Sequence, residues 1–370
     1  MRIDCLLQER KGYTFECYAA AQFAKVLGSC FQTIYLGDGV LQDYLLHLQK
    51  TPPDWTIAFT DLLLQDKPLC DIIQIPHFFW VEGSLSTAVH YLPSKYARVG
   101  VSDLAYCKRL AQPNLCFMPH AVDLALANER YEKRPFEVVL FADLVDTDCM
   151  IESWETLFSK EIVALMRRCC DRCLRNREFL PIEGIARELE ESRIMPNEVS
   201  LNDLLYGVES YLKARRISEL IGSFEGVRLD VFGEHVGNNW LKRLKNSEWI
   251  YLHAKLPFTE HFEVLKLSKM VLLDVLDATD SLEKWFLPAL AAGCFPLINE
   301  TPYLKELLGE NQALFYPSRD WKKMMEKVHY FLSHPSSRQA LIDRLQEELL
   351  PDHSWEKRAK QWLTYIDVKL

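Results

Sequence analysis

Proton transfer near neutral pH needs titratable groups, and the first half of the chain offers two of them close together, His77 and Glu82. Both lie just past the apolar run Ile72 to Ile75, which reads as a buried strand, so each would stand at a strand's carboxyl end. From there either could take a proton from a bound hydroxyl or hold that hydroxyl in place. His77 reads equally as a structural histidine between Pro76 and Phe78, and Glu82 as a solvated loop acid. Lys11 and Gly12 follow the first apolar run, where backbone N–H groups could meet a phosphate, although one glycine outside a G-x-G-x-x-G pattern also reads as a simple turn. His120 and Asp123, just after Pro119 at the end of the first half's pattern, could line a ligand site, although a histidine after proline also reads as an ordinary turn residue. Cys169, Cys170 and Cys173 stand among Arg167, Arg168, Arg172 and Arg175 with no second Cys or His pair at zinc spacing, so no metal site is expected. If those arginines share the thiols' helix face they lower the thiol pKa; otherwise the cysteines are incidental to a surface helix.

These groups must be positioned by a chain of 370 residues, a length that suits two hydrophobic cores better than one. Apolar residues make up 49% and charged residues 26%, the balance of a globular protein, and a net charge of -9 without a separate basic block argues against nucleic acid or anionic lipid as partner. Neither a signal-peptide pattern nor an uninterrupted apolar span is present, so no integral membrane segment is expected and the expected location is the cytoplasm. Eleven scattered cysteines, several at apolar positions such as Cys17, Cys30 and Cys294, fit a reducing compartment rather than a disulfide framework.

Short apolar runs alternate with helical stretches, the signature of α/β layering around parallel sheets. Strands are predicted at Ile3 to Leu7, Thr33 to Leu36, Trp55 to Thr60, Ile72 to Ile75, Ala97 to Val101 and Leu115 to Met118, with a helix over about Thr14 to Val26. A polar stretch through Glu129 to Pro135 marks a domain boundary. Beyond it, strands are predicted at Glu137 to Ala142, Arg228 to Phe232, Trp249 to His253, Val271 to Val275 and Phe295 to Ile298. Between the first two of these, Met150 to Phe224 has helical pattern broken at Pro181, Pro196 and Gly222. A long helical tail runs from Trp321 to Tyr365 and places Trp355, Ala359, Trp362 and Ile366 on one face.

An ordered series of segments then carries a resemblance: Glu137-Val-Val-Leu-Phe-Ala142, Leu229-Asp-Val-Phe-Gly233, Leu267-Ser-Lys-Met-Val-Leu272, Ala289-Leu-Ala-Ala-Gly-Cys-Phe-Pro296, Pro302-Tyr-Leu-Lys-Glu-Leu307 and His353-Ser-Trp-Glu-Lys-Arg358. With Phe79-Trp-Val-Glu82 and Pro119-His-Ala-Val-Asp123 in the first half, the chain resembles the group-1 glycosyltransferases, in particular their spore-maturation-protein-like branch. The resemblance implies a GT-B fold: two Rossmann-like doubly wound α/β domains facing across a cleft. Residues 1–132 would form the acceptor domain and 133–350 the donor domain, the latter with a helical insertion at about 150–224, while the tail 351–370 crosses back to the first domain.

The activity implied is transfer of a sugar from a nucleotide-sugar, which is substrate rather than cofactor, to an unidentified acceptor without a metal. In that picture His77 or Glu82 is the base, and Lys11, Gly12, Gly233, Lys255, Phe258, Thr259, Lys269, Asp280 and Glu283 line the donor site. Lys255, Lys269 or Arg228 would supply the cation for the leaving diphosphate, and Lys255, Phe258 and Thr259 would meet the base. The chain departs from the family where Pro288 takes the place of the glutamate that binds the donor ribose, and where Ala142-Asp143 replaces a glycine after the first strand. A catalytically degenerate binding or scaffold protein, a sugar-nucleotide epimerase and a phosphorylase are the other readings.

Overall fold

The computed structural model describes residues 1–8, 14–37, 40–81, 85–110, 112–128, 131–176, 179–192, 200–236, 244, 246–275, 280–309 and 311–367. They divide into two compact units: Met1–Ala125 with Pro257–Glu260 and Glu347–Leu370, and Leu126–Leu256 with His261–Gln346.

The first unit is built on strands β1 (Ile3–Gln8), β2 (Phe31–Leu36), β3 (Trp55–Ala58), β4 (His77–Val81), β5 (Ala97–Val101) and β6 (Leu115–Phe117), in the order β2-β1-β3-β4-β5-β6. Every pairing is parallel, with Ile3 opposite both Phe31 and Trp55. Side chains alternate across a strand, so Ile3, Cys5 and Leu7 join one core with Phe23 of helix α1 (Phe15–Leu27) and with Trp355, Ala359, Trp362 and Ile366 of the C-terminal tail. Leu6 faces the other way, toward Tyr44 and Leu48 of α2 (Val40–Lys50).

One expected strand is corrected. Ile72 to Ile75 is not a strand: α3 (Leu69–Ile73) occupies its first half and is followed by the C-cap Gln74, in left-handed conformation with φ 56°. The strand begins only after Pro76, because His77–Val81 is buried throughout and can pair on both sides, whereas Ile72 is exposed. Two adjacent short apolar runs carry the same periodicity, and pairing with neighbours decides between them.

In the second unit β7 (Phe136–Phe141), β8 (Leu229–Phe232), β9 (Ile250–His253), β10 (Ser268–Leu273), β11 (Phe295–Asn299) and β12 (Phe315–Tyr316) form a parallel sheet in the order β9-β8-β7-β10-β11-β12. Between β7 and β8 the described residues form four helices, α4 (Thr147–Leu157), α5 (Lys160–Arg175), α6 (Pro181–Ser192) and α7 (Leu201–Gly222). Asp146, Ser159 and Ser200 cap three of them by accepting backbone N–H groups, and Pro181 opens the fourth, where its missing N–H costs nothing. Gly207 lets α7 approach closely, since a Cβ there would stand 2.5 Å from Met166 Cε. Pro196 lies outside the described residues.

Arg216 of α7 fastens this helical insertion to the sheet. Its Nε and Nη2 each donate at 2.7 Å to the carboxylate of Asp274, just past β10, and Nη2 also donates to Ser318 Oγ at 3.2 Å. The partners are 3% and 7% exposed. Among the described residues no helix is long and apolar enough to cross a membrane.

Two measurements test this packing. Arg216→Met leaves the Asp274 carboxylate buried without its cation and should destabilise the second unit by about 3–5 kcal/mol in urea titrations, while Arg216→Met with Asp274→Leu should recover most of that loss.

The first unit should respond to acid. Burial pushes His77 down to about 3, and burial followed by the Arg358 charge pushes His353 down to about 4. The unfolded chain takes up these protons near pH 6.5, so the stabilisation is full above that pH and is lost as pH falls, by up to about 1.4 kcal/mol per pH unit for each histidine. His77→Gln should flatten the decline of the urea midpoint measured in steps from about pH 7 to 4.5; an unchanged slope would show that this histidine already titrates normally.

Candidate functional site

Open α/β sheets bind ligands at the carboxyl ends of their strands, and in the second unit that edge carries a built cluster. The loops after β7 and β8 are zipped together: Ala142 N donates to Phe232 O at 3.1 Å, Leu144 N to Glu234 O at 2.7 Å, and Leu144–Val145 pairs with His235–Val236. The approach is so close that a Cβ on Gly233 would stand 2.0 Å from Ala142 O, so only glycine fits.

Above this junction Glu234 N donates to Asp143 Oδ1 at 2.9 Å, and Lys255, two residues past β9, donates to Glu234 Oε1 at 3.0 Å and lies 3.5 Å from Asp143 Oδ2. All three side chains are about half exposed, 51% to 59%. The hydrogen bond to Glu234, against a smaller burial penalty, raises the Lys255 pKa, so the ammonium stays charged. Beside them, His253 stacks on Phe232 with ring centroids 4.3 Å apart, and His235 Nε2 donates to the His253 carbonyl at 2.9 Å.

An aromatic group stands at the end of β7. Phe141 meets His261 at 4.7 Å and Trp285 at 5.2 Å, and His261 lies almost flat on Trp285 at 4.7 Å. Trp285 precedes α8 (Phe286–Ala291), in which Pro288 sits within the first turn, so the helix starts two residues before the proline and is not broken by it. Glu283 Oε2 accepts Trp285 N at 2.6 Å, and Asp280 Oδ1 accepts Tyr303 N at the start of α9 (Pro302–Leu308). Both carboxylates are thereby tied to backbone donors near helix beginnings, which set their position.

Of the residues singled out from sequence, Gly233, Lys255, Asp280 and Glu283 share the carboxyl edge of this sheet. Others are placed elsewhere. Lys269 is the second residue of β10 and pairs with Glu137 at 3.7 Å, at the amino end of the strands; Arg228 is at that same end, immediately before β8. The expected strand began at Val271, three residues after the observed start at Ser268.

Phe258 and Thr259 belong to the first unit, where the Phe258 ring packs 5.6 Å from Phe15 and 5.3 Å from Tyr18, so Phe258 serves aromatic packing rather than a wall for a base. His77 is the first residue of β4, not a residue past a strand. It is 2% exposed, shares a 2.8 Å hydrogen bond between Nδ1 and Thr56 Oγ1, and faces Tyr91 at 5.7 Å. Burial at the amino end of the sheet removes it from any carboxyl-edge site. Lys11, Gly12 and Glu82 lie outside the described residues.

Sequence reasoning passed over Asp143 and Glu234 as partners of Lys255, because the three come from turns after three different strands and only strand order brings them together. Among the described residues no group of three or more His, Cys, Asp or Glu side chains is placed to hold a metal ion.

Two parallel-sheet α/β domains of this order are those of the GT-B glycosyltransferases. The chain superposes on HepE of Anabaena in complex with UDP-glucose (TM-score 0.57, 9% identity, covering 99% of this chain and 100% of that one) and on sucrose-phosphate synthase of Thermosynechococcus elongatus (TM-score 0.56, 9% identity, 98% of each chain). A glycosyltransferase of Rickettsia africae gives a TM-score of 0.55 at 8% identity, over 99% of this chain and 97% of that one. In sequence, residues 213–364 match the family described as glycosyl transferase-like; the protein has the GT-B fold with a glycosyltransferase-like C-terminal segment. No curated protein matches the chain.

Gly233→Ala tests the junction. The added methyl meets a backbone carbonyl that has no side-chain freedom, and the variant should lose about 1–3 kcal/mol of stability in urea titrations as the two loops separate.

Proposed function

We propose that the protein transfers a glycosyl group from a nucleotide-sugar to an acceptor hydroxyl, with the donor held at the carboxyl edge of the second sheet. The observation that carries this reading is the Lys255 ammonium, held charged beside the Gly233 turn where backbone from two strands converges. In glycosyl transfer the bond from the anomeric carbon to the diphosphate breaks and negative charge builds on the leaving oxygens, so a preorganised cation there lowers the barrier. Lys255 supplies that charge by exchanging Glu234 for the diphosphate, and no metal is needed for the step.

Phe141, His261 and Trp285 give the donor site an apolar flank suited to a ring. Glu82, the residue after β4 in sequence, is the proposed proton acceptor, since the buried His77 cannot reach an acceptor. HepE bound to UDP-glucose supports a uridine donor as the first to try. All eleven cysteines are free thiols, which supports a reducing, cytoplasmic location.

A specific observation favours the second reading, a binding protein without turnover. Asp143 and Glu234 place two carboxylates where a diphosphate would come, and Asp280 and Glu283 are already committed to backbone N–H groups. The two readings part on turnover. Thermal shift with UDP, GDP and ADP should show one selective response, about 2.7 kcal/mol at a hundred times the dissociation constant. Matching sugar-nucleotide should then be hydrolysed slowly without acceptor, and Lys255→Ala should cut that rate about a hundredfold or more while the fold persists. Binding with no turnover selects the second reading, and no shift with any nucleotide overturns both.

A further inference from the structure

The first sheet has a switch point of its own. In the order β2-β1-β3-β4-β5-β6 the chain passes to one side of β1 to make β2 and to the other side to make β3. The connections that leave these two strands part accordingly: α1 turns to the face that holds Phe23, and Leu62 and Leu69 turn to the face that holds Tyr44 and Leu48. Strand ends whose connections diverge in this way leave a crevice between them, and open α/β sheets bind ligands there. Gln8 closes β1, and its Nε2 donates to the Asp61 carbonyl at 3.0 Å, so the two strand ends are bridged at this point.

Two side-chain oxygens stand at the same place without a use in the fold. Thr60 Oγ1 and Asp61 Oδ1, just past the end of β3, are shielded from water and meet no hydrogen-bond partner among the described residues. The backbone beside them is tied down. Leu62 N donates to the Tyr91 hydroxyl at 2.8 Å, that hydroxyl donates to Leu62 O at 3.1 Å, and Leu69 N donates to the same carbonyl at 2.9 Å. Polar atoms left unpaired oppose folding, so two adjacent ones on a fixed turn call for a role outside it. Each belongs to a residue that keeps part of its surface in solvent, so rotation about χ1 brings the oxygen to a ligand at that edge. Burial raises the Asp61 pKa, against the charge of His90 and the Tyr91 hydroxyl, in keeping with a carboxyl short of donors.

We propose that Thr60 and Asp61 hold a neutral sugar ring by its hydroxyls at the carboxyl ends of β1 and β3; resting on the glycosyl-transfer reading, that ring is the acceptor. An ionised Asp61 Oδ1 only accepts, whereas Thr60 Oγ1 both donates and accepts. Neighbouring hydroxyls on one ring match this set, since one gives its hydrogen to Asp61 and the next can both take from and give to Thr60. An ammonium ion would offer nothing to the Thr60 hydrogen, and an anionic ring would meet the Asp61 charge. Asp61 and Thr60 thus select the acceptor and orient it, while the proton of the reacting hydroxyl goes elsewhere.

Saturation-transfer NMR on the whole protein tests this with methyl glucoside and methyl galactoside, each beside its own uronate. At least one neutral glycoside should bind, and its uronate should bind about tenfold less tightly. Asp61→Asn should weaken the neutral glycoside by about tenfold, and Thr60→Val should weaken it severalfold. Because Thr60 Oγ1 has no partner to lose, Thr60→Val should leave the urea midpoint unchanged or raised, which separates loss of binding from loss of structure. No binding of either neutral glycoside overturns the proposal, as do binding indifferent to Asp61→Asn and a uronate preferred to its neutral parent. Should Asp61→Asn fail to fold, the preference of the native protein between glycoside and uronate decides alone. The nucleotide thermal shift, run alongside, keeps the two readings apart. A selective shift without glycoside binding leaves the transfer reading standing and sinks this one, and Asp61-dependent glycoside binding without any shift does the reverse.

Discussion

The buried ion pair between Arg216 and Asp274 is the constraint on which the second unit depends. An isolated carboxylate could not stay at 7% exposure, and the pair is tolerable only because both ends of the guanidinium fork are matched and the remaining donors and acceptors are met. Tyr316 of β12 donates to Leu273 O at 3.0 Å and reaches Asp274 at 3.3 Å, and Ser318 takes another Arg216 bond. Arg319, held at φ 59°, extends the same junction to Glu219 of α7 and to the Leu174 carbonyl at the end of α5. The four-helix insertion is thus bolted to the carboxyl edge of the sheet. Asp274, one residue beyond β10 on that edge, is neutralised from behind, so it adds no net charge to the proposed donor site.

A second device recurs in both units. Arg2 grips Asp4 with two bonds of 2.9 Å, and Arg228 grips Asp230 with bonds of 2.9 and 2.7 Å. Residues two apart on a strand share a face, so the arginine at the exposed start of a strand can reach the fully buried carboxylate further in. A third group completes each set: the Tyr44 hydroxyl at 3.1 Å for Asp4, and His253 Nε2 at 2.7 Å for Asp230. A buried aspartate on a central strand would otherwise oppose folding; fully satisfied, it fixes which element packs on that face.

Much of the architecture was legible because parallel strands buried on both faces read as apolar runs, and because Pro181 and Gly222 mark helix ends by their own backbone chemistry. Gly293, one residue past the C-cap Ala292 in a small-residue segment that carries the resemblance, has φ 70°, and the Arg134 guanidinium, which bonds the Ala292 and Ser268 carbonyls, would lie 2.8 Å from an added Cβ. Phase along a strand was less legible. Where two apolar runs abut, as at Ile72 to Val81, or where a strand starts on polar Ser268-Lys269, hydrophobic pattern does not say which residue is first. At the first of these that error moved His77 from the amino to the carboxyl edge. The partners of Lys255 were illegible for a different reason, since Asp143 and Glu234 are 112 and 21 positions away and become neighbours only through the strand order β9-β8-β7.

The charge at that edge also bears on how a donor is held. Asp143, Glu234 and Lys255 together leave one net negative charge, and an incoming diphosphate adds more. At about 4 Å a like-charge pair costs on the order of 1 kcal/mol in water and about 4 kcal/mol at the effective dielectric of a protein surface, so repulsion from either carboxylate is comparable with the attraction to Lys255. Favourable binding therefore requires the carboxylates to turn outward as Lys255 turns in, which their half-exposed positions allow. The backbone beneath has no such freedom, because Gly233 is pressed against Ala142 and Leu144 is paired with His235. A rigid floor below mobile charged side chains lets the same cluster close on itself when empty and open toward an anion without moving a strand.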